Sequence, residues 1–339
     1  MDTSDGRKNN LQRAISNQKD RNSSLAFCSI ATASHVTQAC ACLQSIRKYH
    51  ENARLVLLLV SAGIPRKPLP SGIETLKIES CVSEGTLHAM HKHYTAAELC
   101  FAVKPFLIAA LLEAGMEQVH YLDGDCLAFD AMTPMISALA AADLLLTPHC
   151  LSPVPEDGRT PRPLTLLKAG VFNAGYIGVR NTTTGVDFVA WLSSMTTRYA
   201  KNKPQEGMCG DQKWLDLAPA LFPGMAICRH PGANVAYWNL QERHLTRNDK
   251  GRFLVNDLPL IFFHFSGYAS NQSMQLSKHQ NRHLPVPGST LHELVETYRN
   301  HIAPASESFP AKQGYLRTVL SRFTPLQLTI SHNPDEKMK

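Results

Sequence analysis

Apolar and polar positions along this chain follow two periods, which predict alternating strands and helices. Leu25-Ala26-Phe27-Cys28-Ser29-Ile30-Ala31-Thr32 reads as a first strand, and Leu55-Val56-Leu57-Leu58-Leu59-Val60 as a second. The second run contains no polar position, the pattern of a strand buried on both faces. Between them Ala39, Cys42, Leu43 and Ile46 recur at helix spacing and predict a helix from about His35 to Tyr49. A longer helix is expected over Tyr94 to Ala114, closed by Gly115 as a C′ glycine. The next strand is Val119 to Leu127, and others are expected at Leu144–Thr147, Tyr176–Val179 and Ile261–Gly267. A helix from Gly185 to about Tyr199 opens on Thr184-x-x-Asp187, a capping-box pattern. Ser152 to Pro163 carries Pro153, Pro155 and Pro161 and the pair Asp157-Gly158, and reads as a loop long enough to be functional. This β-α-β order predicts an α/β fold around a buried sheet.

The pattern fades at both ends. Residues 1–22 are polar and charged and read as a disordered arm. They lack the apolar stretch of a signal peptide. Residues 23–270 form the expected catalytic domain, and 271–339 a C-terminal extension with short helices. One of these carries Leu291, Leu294, Val295 and Tyr298, and another Leu316, Val319, Leu320 and Phe323 beside Arg317 and Arg322. The second amphipathic face either packs on the catalytic domain or docks peripherally on an anionic membrane.

Composition narrows the classes. The chain is 44% hydrophobic and 18% charged, enough for a sizeable core. A net charge of +6 suits anionic ligands such as nucleotide phosphates, while the basic residues are too diffuse for a nucleic-acid partner. The cysteine count is odd, with no C-x-x-C, so a zinc ribbon or disulfide framework is not expected and a reducing, cytoplasmic setting is. No apolar run approaches the roughly 18 residues needed to span a bilayer.

Candidate chemistry gathers where the third strand ends, at Leu122-Asp123-Gly124-Asp125-Cys126. Alternate residues of a strand share a face, so Asp123 and Asp125 are expected to converge on one cation. Gly124 leaves the approach open. The triplet alone is weak: with this many aspartates, roughly half a D-x-D arises by chance in such a length, and Asp is also a turn former. Lys104 interrupts an apolar helix, either snorkelling or aimed at phosphate or at the Asp123/Asp125 pair. Asn173-Ala174-Gly175 is either an Asx turn with a packing glycine or a sugar-contacting segment. Asp211 either caps the helix that begins at Gln212 or joins Gln212 on a pocket floor. His264, in an apolar strand, is a core histidine or a nitrogen ligand.

The order is Thr32, Lys104, D-G-D, N-A-G, D-Q and H-x-x-G, with the blocks AGVFNAGYIGVR, DQKWLDLAPALFPG, NVAYWNL and FFHFSG. It resembles the retaining glycosyltransferases related to glycogenin and the bacterial lipopolysaccharide galactosyltransferases (glycosyltransferase family 8), over about Leu25 to Tyr268. The resemblance implies a GT-A fold, a Rossmann-like α/β/α sandwich for nucleotide-diphospho-sugars, and sugar transfer aided by Mn²⁺ (or Mg²⁺). It implies metal ligands at Asp123, Asp125 and His264, catalytic positions at Gln212 and Asp211, and donor contacts at Ala31, Thr32, Lys104, Asp123, Gly124, Asn173, Ala174, Gly175 and Gly267. A UDP-sugar is the favoured donor, and the acceptor a glycan, a lipid-linked group or a protein. The chain departs from the family's H-x-x-G-x-x-K-P-W: no lysine follows Gly267 through Asn271, so a diphosphate must find another cation. Two alternatives stay open, a degenerate nucleotide-sugar- or glycan-binding module and a haloacid-dehalogenase-type phosphatase, whose strand also ends in D-x-D.

Overall fold

The computed structural model describes residues 24–60, 69–268 and 275–306. The expected arm at 1–22 and the amphipathic stretch Leu316–Phe323 lie outside the described residues. The strands are β1 Leu25–Ala31, β2 Arg54–Leu59, β3 Ile73–Lys77, β4 Gln118–Leu122, β5 Cys126–Ala128, β6 Leu144–Pro148, β7 Phe172–Arg180, β8 Asn202–Lys203, β9 Met208–Cys209, β10 Met225–Ile227, β11 Leu245–Arg247, β12 Phe253–Val255, β13 Leu258–Pro259 and β14 Phe262–His264. Four helices matter most: α1 Val36–Arg47, α2 Ala96–Glu113, α3 Thr183–Tyr199 and α4 Thr290–Ser306. Seven strands form one sheet in the order β10-β6-β7-β4-β1-β2-β3. All its neighbours are parallel except β7, which runs antiparallel to both β4 and β6.

The sheet divides the core into two layers. Successive β2 residues alternate between them: Val56 and Leu58 pack with α2 and α3, while Leu55, Leu57 and Leu59 pack with α1. This is the both-faces burial that the unbroken apolar run predicts. A third cluster joins Leu127, Phe263 and Phe265 to Leu294, Val295 and Tyr298 of α4. Tyr298 stacks on Phe265 with ring centroids 3.8 Å apart. The helix expected around Leu291 therefore exists and packs on the domain, and it is longer than the short helix anticipated.

Local signals explain most ends. Thr95 and Glu98 form a capping box that starts α2, and Gly115 follows its last turn at φ 85°. The cap of α3 is Thr182, which accepts from the Gly185 amide, and not Thr184 as the sequence pattern suggested. Helix entry is set by which hydroxyl the turn after β7 leaves extended, and that is Thr182. Strand β7 also begins four residues earlier than expected, because Asn173-Ala174-Gly175 is itself part of the ladder. No described helix is long and apolar enough to cross a membrane.

Candidate active site

The site forms where β4 stops. Because β7 is antiparallel, its first residues, and not its last, lie beside the carboxyl end of β4: Leu122 pairs with Tyr176, and the Asp123 amide donates to the Gly175 carbonyl at 2.9 Å. Strand β1 runs parallel on the other side, Cys28 opposite Tyr121, so its end at Ala31 reaches the same level. Antiparallel pairing of β5 with β14 sets His264 opposite Cys126. The topology alone thus brings four distant segments together.

Asp123 and Asp125 do not converge as neighbours on one strand. Leu122 ends the strand, and residues 123–125 form a turn that gives the two carboxylates different partners. Asp123 accepts from the Tyr121 hydroxyl at 2.8 Å and lies 3.4 Å from the Lys104 ammonium. Asp125 lies 3.0 Å from His264 Nε2, with Asp123 at 3.9 Å from the same nitrogen. The group still meets around His264. At Gly124 a Cβ would sit 3.0 Å from the Ala39 Cβ, so the missing side chain also lets α1 approach the turn.

Lys104 is buried and does not snorkel. Its ammonium reaches Asp211 at 2.8 Å, donates to the Ala174 carbonyl at 2.8 Å, and sits 4.5 Å from the centre of the Tyr121 ring. Burial pulls its pKa down, but Asp123 and Asp211 outweigh that and hold the ammonium above its ordinary value. Burial pushes Asp211 up against the pull of Lys104. Asp211 makes no side-chain cap to the one 3-10 turn that follows it, Gln212–Leu217; its carboxylate is spent on Lys104 instead.

Asn173 and Gln212 interlock. Gln212 Oε1 accepts from Asn173 Nδ2 at 3.0 Å and from the Ala174 amide at 3.2 Å, and Gln212 Nε2 donates to the Ala169 carbonyl. Asn173 Oδ1 accepts from the Gly175 amide at 3.0 Å, the Asx turn considered from the sequence. Gly175 has no room for a side chain, since a Cβ would lie 2.3 Å from His264 Cε1. His264 thus rests its ring against the bare backbone of Gly175, and Trp238 meets it edge-on at 5.2 Å. Burial lowers the pKa of His264, Asp125 and then Asp123 raise it, and the net direction is up. Asp125 moves down in the same pairing, against its own burial.

Of the remaining expected donor contacts, Ala31 ends β1 and Thr32 lies just beyond the strand, as the extended residue before a short 3-10 turn. Thr32 Oγ1 is 3.2 Å from His35 Nδ1. Gly267 has φ 73° and packs against Ser277 and His279, accepting from the Lys278 amide at 3.1 Å.

Three participants were not singled out in the sequence. Asn234 donates to Asn173 Oδ1 at 2.9 Å and to Thr147 Oγ1 at 2.8 Å, from a left-handed backbone that Asn tolerates. Asn239 donates to the carbonyls of His149 and Asn234. His149, its pKa pushed by burial down to about 4, places one ring nitrogen 2.8 Å from the Gly170 carbonyl and the other 3.4 Å from Asn173 Nδ2. The two asparagines bracket the NVAYWNL block, and that repeated Asn was the available signal.

Asp125 and His264, with the neighbouring Cys126, form a group able to hold a metal ion. Burial pushes the Cys126 thiol up, and Asp125 and His264 supply the oxygen and nitrogen donors of the group. Carboxylates plus one imidazole suit a divalent first-row ion.

The fold is thus a mixed α/β one with a central, largely parallel sheet and a polar site at its carboxyl edge. No family model matches the chain. It is similar to the uncharacterized protein YfnF of Bacillus subtilis, 26% identical over 285 residues that make up 82% of this chain and 92% of that protein. It is also similar to YfnD of the same organism, 27% identical over 179 residues, 51% of this chain and 55% of that one. Among solved structures, the galactosyltransferase LgtC in complex with donor and acceptor sugar analogues overlaps 87% of this chain and 99% of its own, at 15% identity and a TM-score of 0.47. The apo-form glycosyltransferase GlyE of Streptococcus pneumoniae overlaps 89% of this chain and 64% of its own, at 13% identity and a TM-score of 0.45. These neighbours are glycosyltransferases, and at such identities the likeness concerns architecture and carries nothing about activity.

Proposed function

We propose that this chain is a metal-dependent glycosyltransferase. It moves a sugar from a nucleoside-diphosphate sugar, a UDP-sugar by preference, to a hydroxyl of a glycan, lipid-linked or protein acceptor, with retention of configuration. The observation that carries this reading is the convergence around Gly175. Asp125 and His264 meet at 3.0 Å with Asp123 beside them, and the adjoining β7 residues Asn173 and Ala174 are bound to Gln212.

Asp123, Asp125 and His264 would hold Mn²⁺ or Mg²⁺, which when bound neutralises charge on the departing diphosphate. Lys104 keeps Asp123 and Asp211 in place. Ala31 and Thr32, at the end of β1, would face the base, while Gly124, Asn173, Ala174, Gly175 and Gly267 would line the donor. Gln212 presents its amide from a fixed rotamer, held by three hydrogen bonds. Inversion would need a carboxylate base near the acceptor, and Asp211 is 2% exposed with Lys104 against it. A carboxylate so enclosed is poorly placed to take an acceptor proton, which favours retention. A cytoplasmic enzyme with a peripheral membrane contact fits a lipid-linked acceptor.

Thermal shift with UDP-, GDP- and CDP-sugars, with and without Mn²⁺, tests the donor reading, because a ligand of the native state raises its melting temperature. Stabilisation by one family of donors only with Mn²⁺, together with donor hydrolysis, is expected. Asp123→Ala or Asp125→Ala should lower that turnover by roughly 10²-fold or more. Stabilisation without hydrolysis would mark a binding module, and full turnover in either variant would remove the metal site.

A further inference from the structure

A second polar feature lies at the other end of β5. That strand leaves the turn at Asp125 and ends in the wall of a cleft of about 680 Å³, lined by α1, the β11–β12 hairpin and α4. Roughly 13 Å of extended chain separates Asp125 from Phe129 in that wall. Its lining contains Lys48, Arg247, Lys250, Arg252 and His301, and no carboxylate. The non-ionic lining includes three aromatic rings: Phe129 and Phe253 meet edge-on at 5.3 Å, and Tyr49 fixes the Phe129 carbonyl with its hydroxyl at 2.6 Å.

The arginines are partly balanced from outside the cleft. Arg247 is spent within the protein, on Glu293 at 2.8 Å through Nη1 and on the Gly251 carbonyl through Nε and Nη2, and Arg252 lies 3.6 Å from Asp130. Among the described residues no carboxylate pairs with Lys48 or Lys250, both exposed. Lys48 lies 5.5 Å from the centre of the Tyr49 ring. His301 holds Nδ1 toward the Thr297 carbonyl at 2.8 Å, which leaves Nε2 for another partner. Four permanent cations around one concavity, two of them unbalanced, focus a positive potential that like-charge repulsion makes costly unless an anion enters.

We propose that this cleft binds a phosphoryl group, with Lys48, Lys250 and Arg252 on its oxygens and the body of the ligand against Phe129 and Phe253. The chemistry is shared by a phospholipid headgroup and by a soluble phosphate ester. The inference is independent of the glycosyltransferase reading.

Two probes separate the sources: glycerol 3-phosphate, followed by thermal shift, and co-sedimentation with phosphatidylcholine vesicles with and without phosphatidylglycerol. The full chain should bind at least one of them, more weakly as salt rises. Lys48→Gln and Lys250→Gln should each weaken that binding roughly fivefold, and together about 25-fold. The control pair Lys77→Gln with Lys203→Gln removes the same charge from exposed positions elsewhere and should leave binding within about twofold of the wild type. Vesicle binding alone assigns the headgroup, and glycerol 3-phosphate binding alone assigns a soluble ester. Binding of neither probe, equal binding by the double variant, or an equal loss in the control pair overturns the proposal. Each single variant serves should the double variant fail to fold. Metal-dependent donor hydrolysis, measured on the same samples, should be unchanged by the Lys48 and Lys250 substitutions.

Discussion

The two halves of the central sheet bury their strands in opposite ways. On the β1-β2-β3 side, β2 sends Leu55, Leu57 and Leu59 into one layer and Val56 and Leu58 into the other, with no polar side chain among them. On the β4-β7-β6 side, Lys104, Asp211, Asn173, Asn234 and His149 are buried as well, each with a partner of opposite charge or hydrogen-bonding sense. Removing apolar groups from the first half loses area and packing, a cost that depends on volume. Removing one member from the second half strands another polar group away from water, a cost that depends on what remains. The polar half therefore sacrifices stability for a fixed arrangement of charge beside Gly175.

The sharpest way to break that contrast is at Lys104. Lys104→Met leaves Asp211 buried without its cation and should cost about 3–5 kcal/mol in urea denaturation. Lys104→Met combined with Asp211→Leu should recover most of that stability without recovering activity. A loss below about 1 kcal/mol for the single variant would mean that the pair is not a buried ion pair in solution. On the apolar side, Leu57→Ala should cost about 3 kcal/mol, within the 2–5 kcal/mol range for core leucines. Its donor hydrolysis should stay within about twofold of the wild type when measured well below the melting temperature. A turnover that falls in step with the stability would erase the division between the halves. The smallest expected effect is at His264, where a metal ligand and a core histidine predict opposite orderings. His264→Ala should raise the Mn²⁺ requirement by at least about tenfold, with only a small change in melting temperature. A lowered melting temperature with an unchanged Mn²⁺ requirement would assign His264 to the core.

The strands and helices were legible because their signals are local. The apolar run at Leu55–Val60, the spacing of Ala39, Cys42, Leu43 and Ile46, and Gly115 after a long helix each reflect burial or backbone freedom within a few residues. The site was legible as a set of residues and not as a geometry. Lys104 stood out because lysine is rarely buried in an apolar helix, yet whether it snorkelled or paired could not be read from its neighbours. Asp123 and Asp125 looked like strand neighbours sharing a face, and a turn gave them separate partners. Asp211 looked like a helix cap because a helical turn follows it, and a lysine more than 100 residues earlier took its carboxylate instead.

Amino-acid order by itself determined the α/β class, five of the seven central strands (β3 and β10 carried no signal that was read), the helices α1 to α4, and which side chains are chemically out of place. Those follow from periodicity and from the cost of burying a charge, both of which act residue by residue. Only the tertiary structure decided that β7 runs against β4, so that Asn173, Ala174 and Gly175 arrive beside Asp123 from the start of a strand. It also decided that β14 pairs with β5, which brings His264 to Asp125. Strand direction and pairing are set by the whole sheet's hydrogen bonding and packing, and no local stretch of sequence carries that information.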